Sequence, residues 1–488
     1  MRCPKCGTEN QDGAQICNSC GRHLKNDTSE KPVAKPKTSK LAVASFILSF
    51  LAGIPAIIFG IVALVKIARS AGRLKGNGLA IAGIVISLFL MSAFFLWTLD
   101  APPIPNDYTI ADLRSAPKEC EQSYELLKKL ADENDLSPDA PAIGLSQQDV
   151  NDLDKINKIS KEDDYENIYA KLTANAENTL RIWQNAQKGR DIINQLNTFP
   201  EIADLTEPFI FAFPKFLGNF RHLVLLHRDF VCLQSCQGNE EIALNELLNL
   251  DDVVRKLNVN VRSFITKLVY IASFAVNIET ANFIINNPKT SEDSLKLLAE
   301  HFQPLTNERT SLRNSMIFEY LMFKNELINM DKKLKHFPFL KLNSTLRLYK
   351  NSCDYRIAAE KSCQEFEKLS VWPSIYPELP VQVDPNGITP WYYKAYNPVG
   401  SLYLAILMPA YGKIFQLNTK LQIRYDLLQI VLNKRLGKEI NLKARAYGDE
   451  YIVDLENKKI FSPGPDGIPH TKDDIKLMIN PEVLNFKK

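Results

Sequence analysis

Four cysteines in the first 20 residues form the clearest chemical pattern in this 488-residue chain. They occur as two Cys-x-x-Cys pairs, Cys3 with Cys6 and Cys17 with Cys20, and a glycine follows each pair. Two intervening residues allow a tight turn that directs both sulfurs to one point, and glycine removes the Cβ that would obstruct the turn. Four thiolates complete the tetrahedral shell of a structural Zn²⁺ site. We therefore predict that these four cysteines bind zinc and leave no open position for catalysis.

Residues 1–25 are too few to bury a sufficient core, so metal binding must supply their folding free energy. Two disulfides, or free thiols in a disordered tail, are the alternatives. His23 follows Cys20 closely, but four sulfurs already complete the shell, so we interpret it as a bystander. The stretch resembles the zinc-ribbon module at the N-terminus of many prokaryotic membrane proteins.

A second candidate metal site lies near the other end of the chain. The sequence predicts a long amphipathic helix at 399–436 that stops at Gly437, then strands at 442–446 and 451–455, then a loop rich in Gly, Pro and Asp. This layout over 399–478 resembles the C-terminal headgroup of type II secretion major pseudopilins, in which the loop binds calcium.

The resemblance implies a Ca²⁺ site whose oxygen ligands come from one loop. The carboxylate candidates are Asp466, Asp473 and Asp474, and Ser462 and Ile468 would offer carbonyl oxygens. Pro469-His470 departs from the family by replacing the usual glycine, and the helix does not follow a cleavable leader. The alternative is an exposed turn of Asp and Gly without a metal.

Two long apolar segments point to a lipid bilayer. Leu41–Val65 runs 25 residues without a charge and Gly78–Leu99 runs 22, and each is long enough to cross a hydrocarbon core of about 30 Å. Between them, Lys66, Arg69, Arg73 and Lys75 make the connecting loop basic. The region from 41 to 99 resembles the DUF4190 membrane module, which implies membrane residence but no reaction.

The charge pattern leaves the topology open. Two full spans would place the basic loop opposite both chain ends, and the count of Lys and Arg would then favour cytoplasmic ends. Alternatively, Gly53-Ile54-Pro55 breaks the first segment into a re-entrant hairpin, and only the second segment crosses. The zinc ribbon is then cytoplasmic and the large domain lies outside.

Sequence patterns predict helices in much of the rest of the chain, and no recognisable catalytic motif occurs in it. Apolar periodicity predicts helices at 207–235, 258–286 and 310–334, and Thr290 with Asp293 predicts a capping box. His227-Arg228-Asp229 matches a kinase catalytic loop by letters only, because the companion kinase motifs are missing, and His222 and His227 are interpreted as structural. Cysteines 120, 232, 236, 353 and 363 are interpreted as small core residues.

We expect a multi-domain, mainly α protein with a small four-cysteine zinc ribbon, a transmembrane helical hairpin, a large helical domain and a small α+β C-terminal unit. The expected divisions are 1–25 (ribbon), 26–40 (basic flexible linker), 41–99 (membrane region), 100–370 (helical domain) and 371–488 (long helix with a small sheet). A net charge of +3 over this length gives no reason to expect nucleic-acid binding.

The expected function is a membrane-anchored envelope protein that binds or scaffolds a protein partner, and we lean against an enzyme. A membrane-bound enzyme with its site in the helical domain, or a transmembrane signalling protein, are the alternatives. Converging carboxylates or histidines in one pocket would favour the enzyme, and a broad exposed apolar patch would favour the binding protein.

Overall fold

The computed structural model describes most of the chain as two compact units, Met1–Leu99 and Asp100–Lys488. The described residues are 1–24, 35–51, 53–113, 120–131, 143–159, 165–208, 214–306, 310–333, 339–359 and 395–484.

The first unit contains the ribbon, three helices and a two-residue strand pair. Its elements are β1 (Lys37–Thr38), α1 (Lys40–Leu48), α2 (Gly53–Arg69), β2 (Leu74–Lys75) and α3 (Asn77–Thr98). The three helices pack against one another. The strands pair in parallel, with Lys37 opposite Leu74 and Thr38 opposite Lys75.

The single helix required by a full first span is not formed, because the segment breaks after Leu48 and resumes at Gly53. Pro55 lies in the first turn of α2, where a missing N–H costs no helical hydrogen bond. The Gly-Ile-Pro sequence therefore starts a helix, and the membrane region holds three helices instead of the expected two.

The second unit is mainly helical. Its helices are α4 (Cys120–Lys128), α5 (Gln147–Ile159), α6 (Tyr165–Ala174), α7 (Ala176–Asn185), α8 (Gln187–Asn197), α9 (Leu217–Gln237), α10 (Glu240–Val259), α11 (Phe264–Asn286), α12 (Glu292–His301), α13 (Arg313–Lys333), α14 (Leu342–Ala359), α15 (Pro398–Arg435) and α16 (Pro481–Leu484). α9 lies at its centre and packs against α5, α6, α7, α10 and α11.

A three-stranded antiparallel sheet covers part of this helical body. Its strands are β3 (Ile452–Asp454), β4 (Lys459–Ser462) and β5 (Ile475–Met478), in the order β3-β4-β5. Ile460 and Leu477 are buried in the same core as α9 and α11. The prediction of a strand at 442–446 is wrong. This stretch makes only an isolated antiparallel bridge, between Lys443 and Glu450.

The 38-residue helix α15 joins two hydrophobic cores of the second unit. Leu404, Ile414 and Phe415 lie in the core with α13 and α14, whereas Leu421 and Leu432 lie in the core with α9. The chain is thus mainly helical with a small C-terminal antiparallel sheet, as predicted. The expected division at residue 370 lies outside the described residues.

Candidate metal centre and membrane segment

The two cysteine pairs fold into equivalent tight turns. Gly7 N donates to Cys3 O at 3.0 Å, and Gly21 N donates to Cys17 O at 2.9 Å. Gly7 and Gly21 have φ of 70° and 66°, in the left-handed region that glycine adopts without a Cβ clash. The glycine after each pair is therefore required by the backbone of the turn.

The four sulfurs converge with the spacing of a zinc shell. Cys3 Sγ lies 3.6 Å from Cys20 Sγ, Cys6 Sγ lies 3.6 Å from Cys17 Sγ, and all four sulfurs lie within 4.8 Å of one another. A tetrahedron with Zn–S bonds of about 2.3 Å has edges of about 3.8 Å. Among the described residues, these four cysteines are the one group of His, Cys, Asp or Glu side chains whose ligand atoms lie close enough together to hold a metal ion. His23 does not belong to it.

Asn10 ties the two turns together. Its Nδ2 donates to Thr8 O at 2.9 Å and lies 3.5 Å from Cys17 Sγ, while its Oδ1 accepts from Asn18 N at 2.9 Å. Hydrogen bonds led by the backbone N–H of Ser19 lower the pKa of Cys17 to about 6. Asn10 was not predicted from the sequence, where its only signal is that it is a polar residue between the two pairs.

The three helices of the first unit bury small residues where they meet and expose large apolar residues. All but one of their buried residues are Gly, Ala or Ser; the set is Ala42, Ser45, Ala56, Gly60, Ala63, Ile67, Ala80, Gly83 and Ser87. The exposed set includes Ile47, Ile54, Ile58, Phe89, Phe94 and Phe95. Small residues at helix contacts and large apolar residues outside are typical of helices that pack within lipid.

The tightest contact of the three helices is centred on Ser45. Its Oγ donates to Ala56 O at 2.7 Å, and the residue is fully buried. A Cβ placed on Gly60 would lie 2.8 Å from Ser45 Oγ, and one on Gly83 would lie 2.5 Å from it. Glycine at both positions lets the helices approach this closely.

The turn between α1 and α2 lies beside a point about two thirds of the way along α3. A Cβ on Gly53 would meet Met91 Cγ at 2.8 Å, and Met91 is about 21 Å along α3 from Asn77 at 1.5 Å per residue. The whole of α3, 22 residues, is about 33 Å long. α1, with nine residues, is about 13 Å long and is too short to cross a bilayer.

The β1–β2 pair brings the start of α1, the end of α2 and the start of α3 to one end of the bundle. Seven basic residues flank these points and no acidic residue occurs between 35 and 99; the basic set is Lys35, Lys37, Lys40, Lys66, Arg69, Arg73 and Lys75. The first charged residue after α3 is Asp100. Positive charge is therefore concentrated at one end of the three helices.

Two helices of the described residues are long and apolar enough to cross a membrane, α3 and α11. Two thirds of the apolar window of α11 is buried in the core of the second unit, against 17% for that of α3. α11 is thus accounted for as a core helix, whereas α3 exposes its apolar surface.

The carboxylates of the C-terminal loop accept hydrogen bonds from groups of the loop itself. Asp473 Oδ2 accepts from Asp466 N at 3.2 Å, and Asp473 Oδ1 accepts from Thr471 Oγ1 at 2.6 Å. Asp474 Oδ2 accepts from His470 N at 3.0 Å. A Cβ on Gly464, whose φ is 77°, would lie 2.5 Å from Asp473 O, so this turn requires glycine.

The two predicted carbonyl donors lie at different places in this loop. Ile468 O accepts from Thr471 Oγ1 at 3.2 Å beside Asp473, whereas Ser462 is buried at the end of β4. In the described part of the chain, Asp466, Asp473 and Asp474 do not form a group with ligand atoms close enough to hold an ion. Calcium binding at this loop stays a prediction.

His227 and its neighbours fill the core of the second unit. Its Nδ1 donates to Leu223 O at 2.8 Å, and its ring lies edge-on to Trp183 with centroids 4.9 Å apart. Burial lowers the pKa of His227 to about 4. Arg228 and Asp229 form a buried ion pair beside it. This environment fits the structural role expected for His227.

The cysteines outside the ribbon are buried and free at positions 120, 232, 236 and 353, as the sequence predicts. Cys363 lies outside the described residues.

Comparison with protein families gives two matches, both in the first unit. Residues 2–24 match a zinc-ribbon domain, and residues 41–97 match a domain of unknown function, DUF4190. The four-cysteine cluster of the ribbon is consistent with structural Zn²⁺, which confirms the predicted cofactor. Neither the curated proteins nor the solved structures give a match. The comparisons do not support the resemblance of residues 399–478 to a pseudopilin headgroup.

Proposed function

We propose that this chain is a membrane-anchored envelope protein in which α3 crosses the bilayer and α1–α2 form a re-entrant hairpin beside it. The cytoplasmic side would hold the zinc ribbon and the basic connections. Residues 100–488 would follow α3 on the other side and act as a binding or scaffolding body. The observation that carries the proposal is the pairing of β1 with β2, which places seven basic residues at one end of an apolar bundle.

The packing of the bundle supports insertion in lipid. Its buried positions are almost all small, and its large apolar side chains are exposed, as with Phe89 at 71%. Large contiguous apolar patches are rare on soluble proteins, and in water such a surface would promote aggregation.

Extraction of membranes with alkaline carbonate tests the anchor. We expect the full chain to stay in the membrane pellet and to need detergent for solubility. A full-length chain that purifies as a soluble monomer without detergent would refute the proposal.

A second candidate, transmembrane signalling, is favoured by how the second unit begins. The Ala-Pro-Pro-Ile-Pro stretch at 101–105 is held against α14. Ala101 O accepts from Asn343 Nδ2 at 2.9 Å, and Pro102 O accepts from Arg347 Nη2 at 2.8 Å. Asp107 forms an ion pair with Lys324 at 2.7 Å. A segment fixed in this way would transmit movement of α3 to α13 and α14.

Hydrogen exchange separates the two candidates. A signalling protein would change the exchange of α13 and α14 amides when zinc is removed from the ribbon, whereas a simple anchor would leave these amides unchanged.

A further inference from the structure

A cavity of about 400 Å³ lies in the second unit between α6, α9, α11, α15 and the edge of the small sheet. Small-molecule sites commonly occupy about 300–1,000 Å³. The predicted calcium ligands do not line it. Its buried wall is largely uncharged and includes Ile168, Cys232, Thr280, Phe283 and Leu477.

Positive charge dominates the remaining wall. Arg228, Arg424, Lys459 and Lys476 line the cavity against a single carboxylate, Glu279. Guanidinium and ammonium groups are the side chains that proteins use to bind carboxylates and phosphates.

Arg228 provides a fixed donor inside the cavity. Its side chain is 5% exposed, and its Nε and Nη2 donate to Asp229 Oδ1 at 2.9 and 2.7 Å. Its Nη1 makes no hydrogen bond to any residue that the structure describes. A buried guanidinium that is held at one edge leaves its other edge available to an anion.

The two lysines lie on the same face of the sheet. Lys459 is opposite Met478 and Lys476 is opposite Phe461, so the lysines are diagonal neighbours whose Cα atoms lie roughly 7–8 Å apart. Lys459 Nζ lies 4.9 Å from the centroid of the Phe461 ring, and it would leave this contact to bind one phosphate or carboxylate together with Lys476.

Neighbouring carboxylates offset part of this charge. Arg424 Nη1 pairs with Glu279 Oε1 at 2.6 Å, and Asp454 lies opposite Lys459 in the β3–β4 ladder. When Asp229 is included, three carboxylates of the described residues lie beside the four cations.

The cavity is preformed, because side chains of α11 hold the edge of the sheet. Asn282 Nδ2 and Asn286 Nδ2 donate to Met478 O at 2.9 and 3.3 Å, and Asn286 Oδ1 accepts from Asn480 N at 2.6 Å. A preformed site loses less conformational entropy when a ligand binds.

We infer that this cavity binds a small organic anion whose carboxylate or phosphate contacts Arg228 and the two lysines and whose apolar part contacts Ile168 and Phe283. This inference goes beyond the proposed function and does not require α3 to cross a membrane.

Calorimetric titration of the full chain in detergent micelles, with empty micelles as the blank, tests it. The probes are hexyl phosphate and hexanoate, with 1-hexanol and inorganic phosphate as the uncharged and headgroup-only controls. We expect saturable binding of the two hexyl anions, and binding of both controls to be weaker by about tenfold or more.

Two variants locate the site. The double variant K459Q/K476Q should bind hexyl phosphate roughly tenfold more weakly, because it loses charge-assisted contacts. The control K472Q removes one positive charge from an exposed residue outside the cavity and should keep the wild-type affinity.

The inference is overturned if neither hexyl anion binds saturably, or if K472Q loses as much affinity as the double variant. Equal binding of 1-hexanol would contradict the role of the cations, and equal binding of inorganic phosphate would contradict the role of the apolar wall.

Discussion

Ser45 Oγ donates a 2.7 Å hydrogen bond to the carbonyl oxygen of Ala56, which joins the two arms of the α1–α2 hairpin. The bond satisfies the only polar group of a fully buried serine side chain. It also fixes α1 against α2 at the level where Gly83 of α3 approaches. The hairpin is therefore one folded element, and α1 is not a fragment of a longer spanning helix.

Gly83→Ala should loosen this element, because the new Cβ would lie 2.5 Å from Ser45 Oγ and 2.8 Å from Ser45 C. Overpacking of this kind costs about 1–3 kcal/mol, so thermal unfolding in detergent should begin at a lower temperature. Gly78→Ala is the matched control on the same helix, since its Cβ would meet nothing within 4 Å. Equal unfolding temperatures for the two variants would show that the contact is not essential.

Asn10→Ala should weaken zinc binding about tenfold or more, because residues that orient metal ligands typically have effects of this size. Wild-type protein should contain one zinc per chain, and a chelator competition gives the affinity of each variant. Asn18→Ala keeps the backbone N–H that donates to Asn10 and should bind zinc as the wild type does. If both variants behave alike, Asn10 does not organise the site.

Stability of the second unit should fall as the pH drops from 6.5 to 4. The pKa of buried His227 is lowered to about 4, so the folded state binds fewer protons than the unfolded state. The stability is complete above pH 6.5, and about 3 kcal/mol is lost on acidification to pH 4.

Denaturant unfolding at several pH values measures this loss. His227→Gln should flatten the pH profile, and His470→Gln, at an exposed position, should leave the profile unchanged. A His227→Gln profile as steep as the wild type would assign the acid sensitivity to other groups.

Local sequence signals predicted those elements whose boundaries depend on local chemistry. The helix expected at 399–436 is found at Pro398–Arg435, and Gly437 follows with φ of 68°, as a helix stop requires. The predicted N-cap, Thr290, is wrong by one residue. Ser291 caps α12, because its Oγ accepts from Ser294 N, and Thr290 Oγ1 instead donates to Ile284 O at 2.7 Å. Two adjacent hydroxyl residues give the same local signal, and tertiary contacts decide between them.

Contacts between distant residues were not predictable from the sequence. Proline is tolerated in spanning helices, so Pro55 alone could not separate a re-entrant hairpin from a full span. The pairing of Lys37 with Leu74 favours the proposed re-entrant arrangement, and it joins residues that share no local pattern. The cavity beside Arg228 is likewise lined by residues from four helices and two strands. In the sequence, the residues around Arg228 resembled only the letters of a kinase motif.

Calcium binding by the C-terminal loop is expected in the affinity range of extracellular modules, about 0.1–1 mM. Calcium should raise the unfolding temperature of the full chain, and Asp473→Asn should remove this increase. Asp449→Asn, which changes an exposed aspartate in another turn, is the control. An unchanged unfolding temperature at saturating calcium would contradict calcium binding at these carboxylates.

Labelling of single introduced cysteines with a membrane-impermeant maleimide tests the topology most directly. Lys37→Cys, Arg73→Cys and Lys472→Cys place the reporter before α1, after α2 and near the C-terminus, and the wild-type signal is the background. In right-side-out vesicles we expect labelling of Lys472→Cys alone, and labelling of all three after the vesicles are opened with detergent. Equal labelling of Lys37→Cys and Lys472→Cys in sealed vesicles, with Arg73→Cys behaving oppositely, would contradict the re-entrant arrangement and establish two full spans.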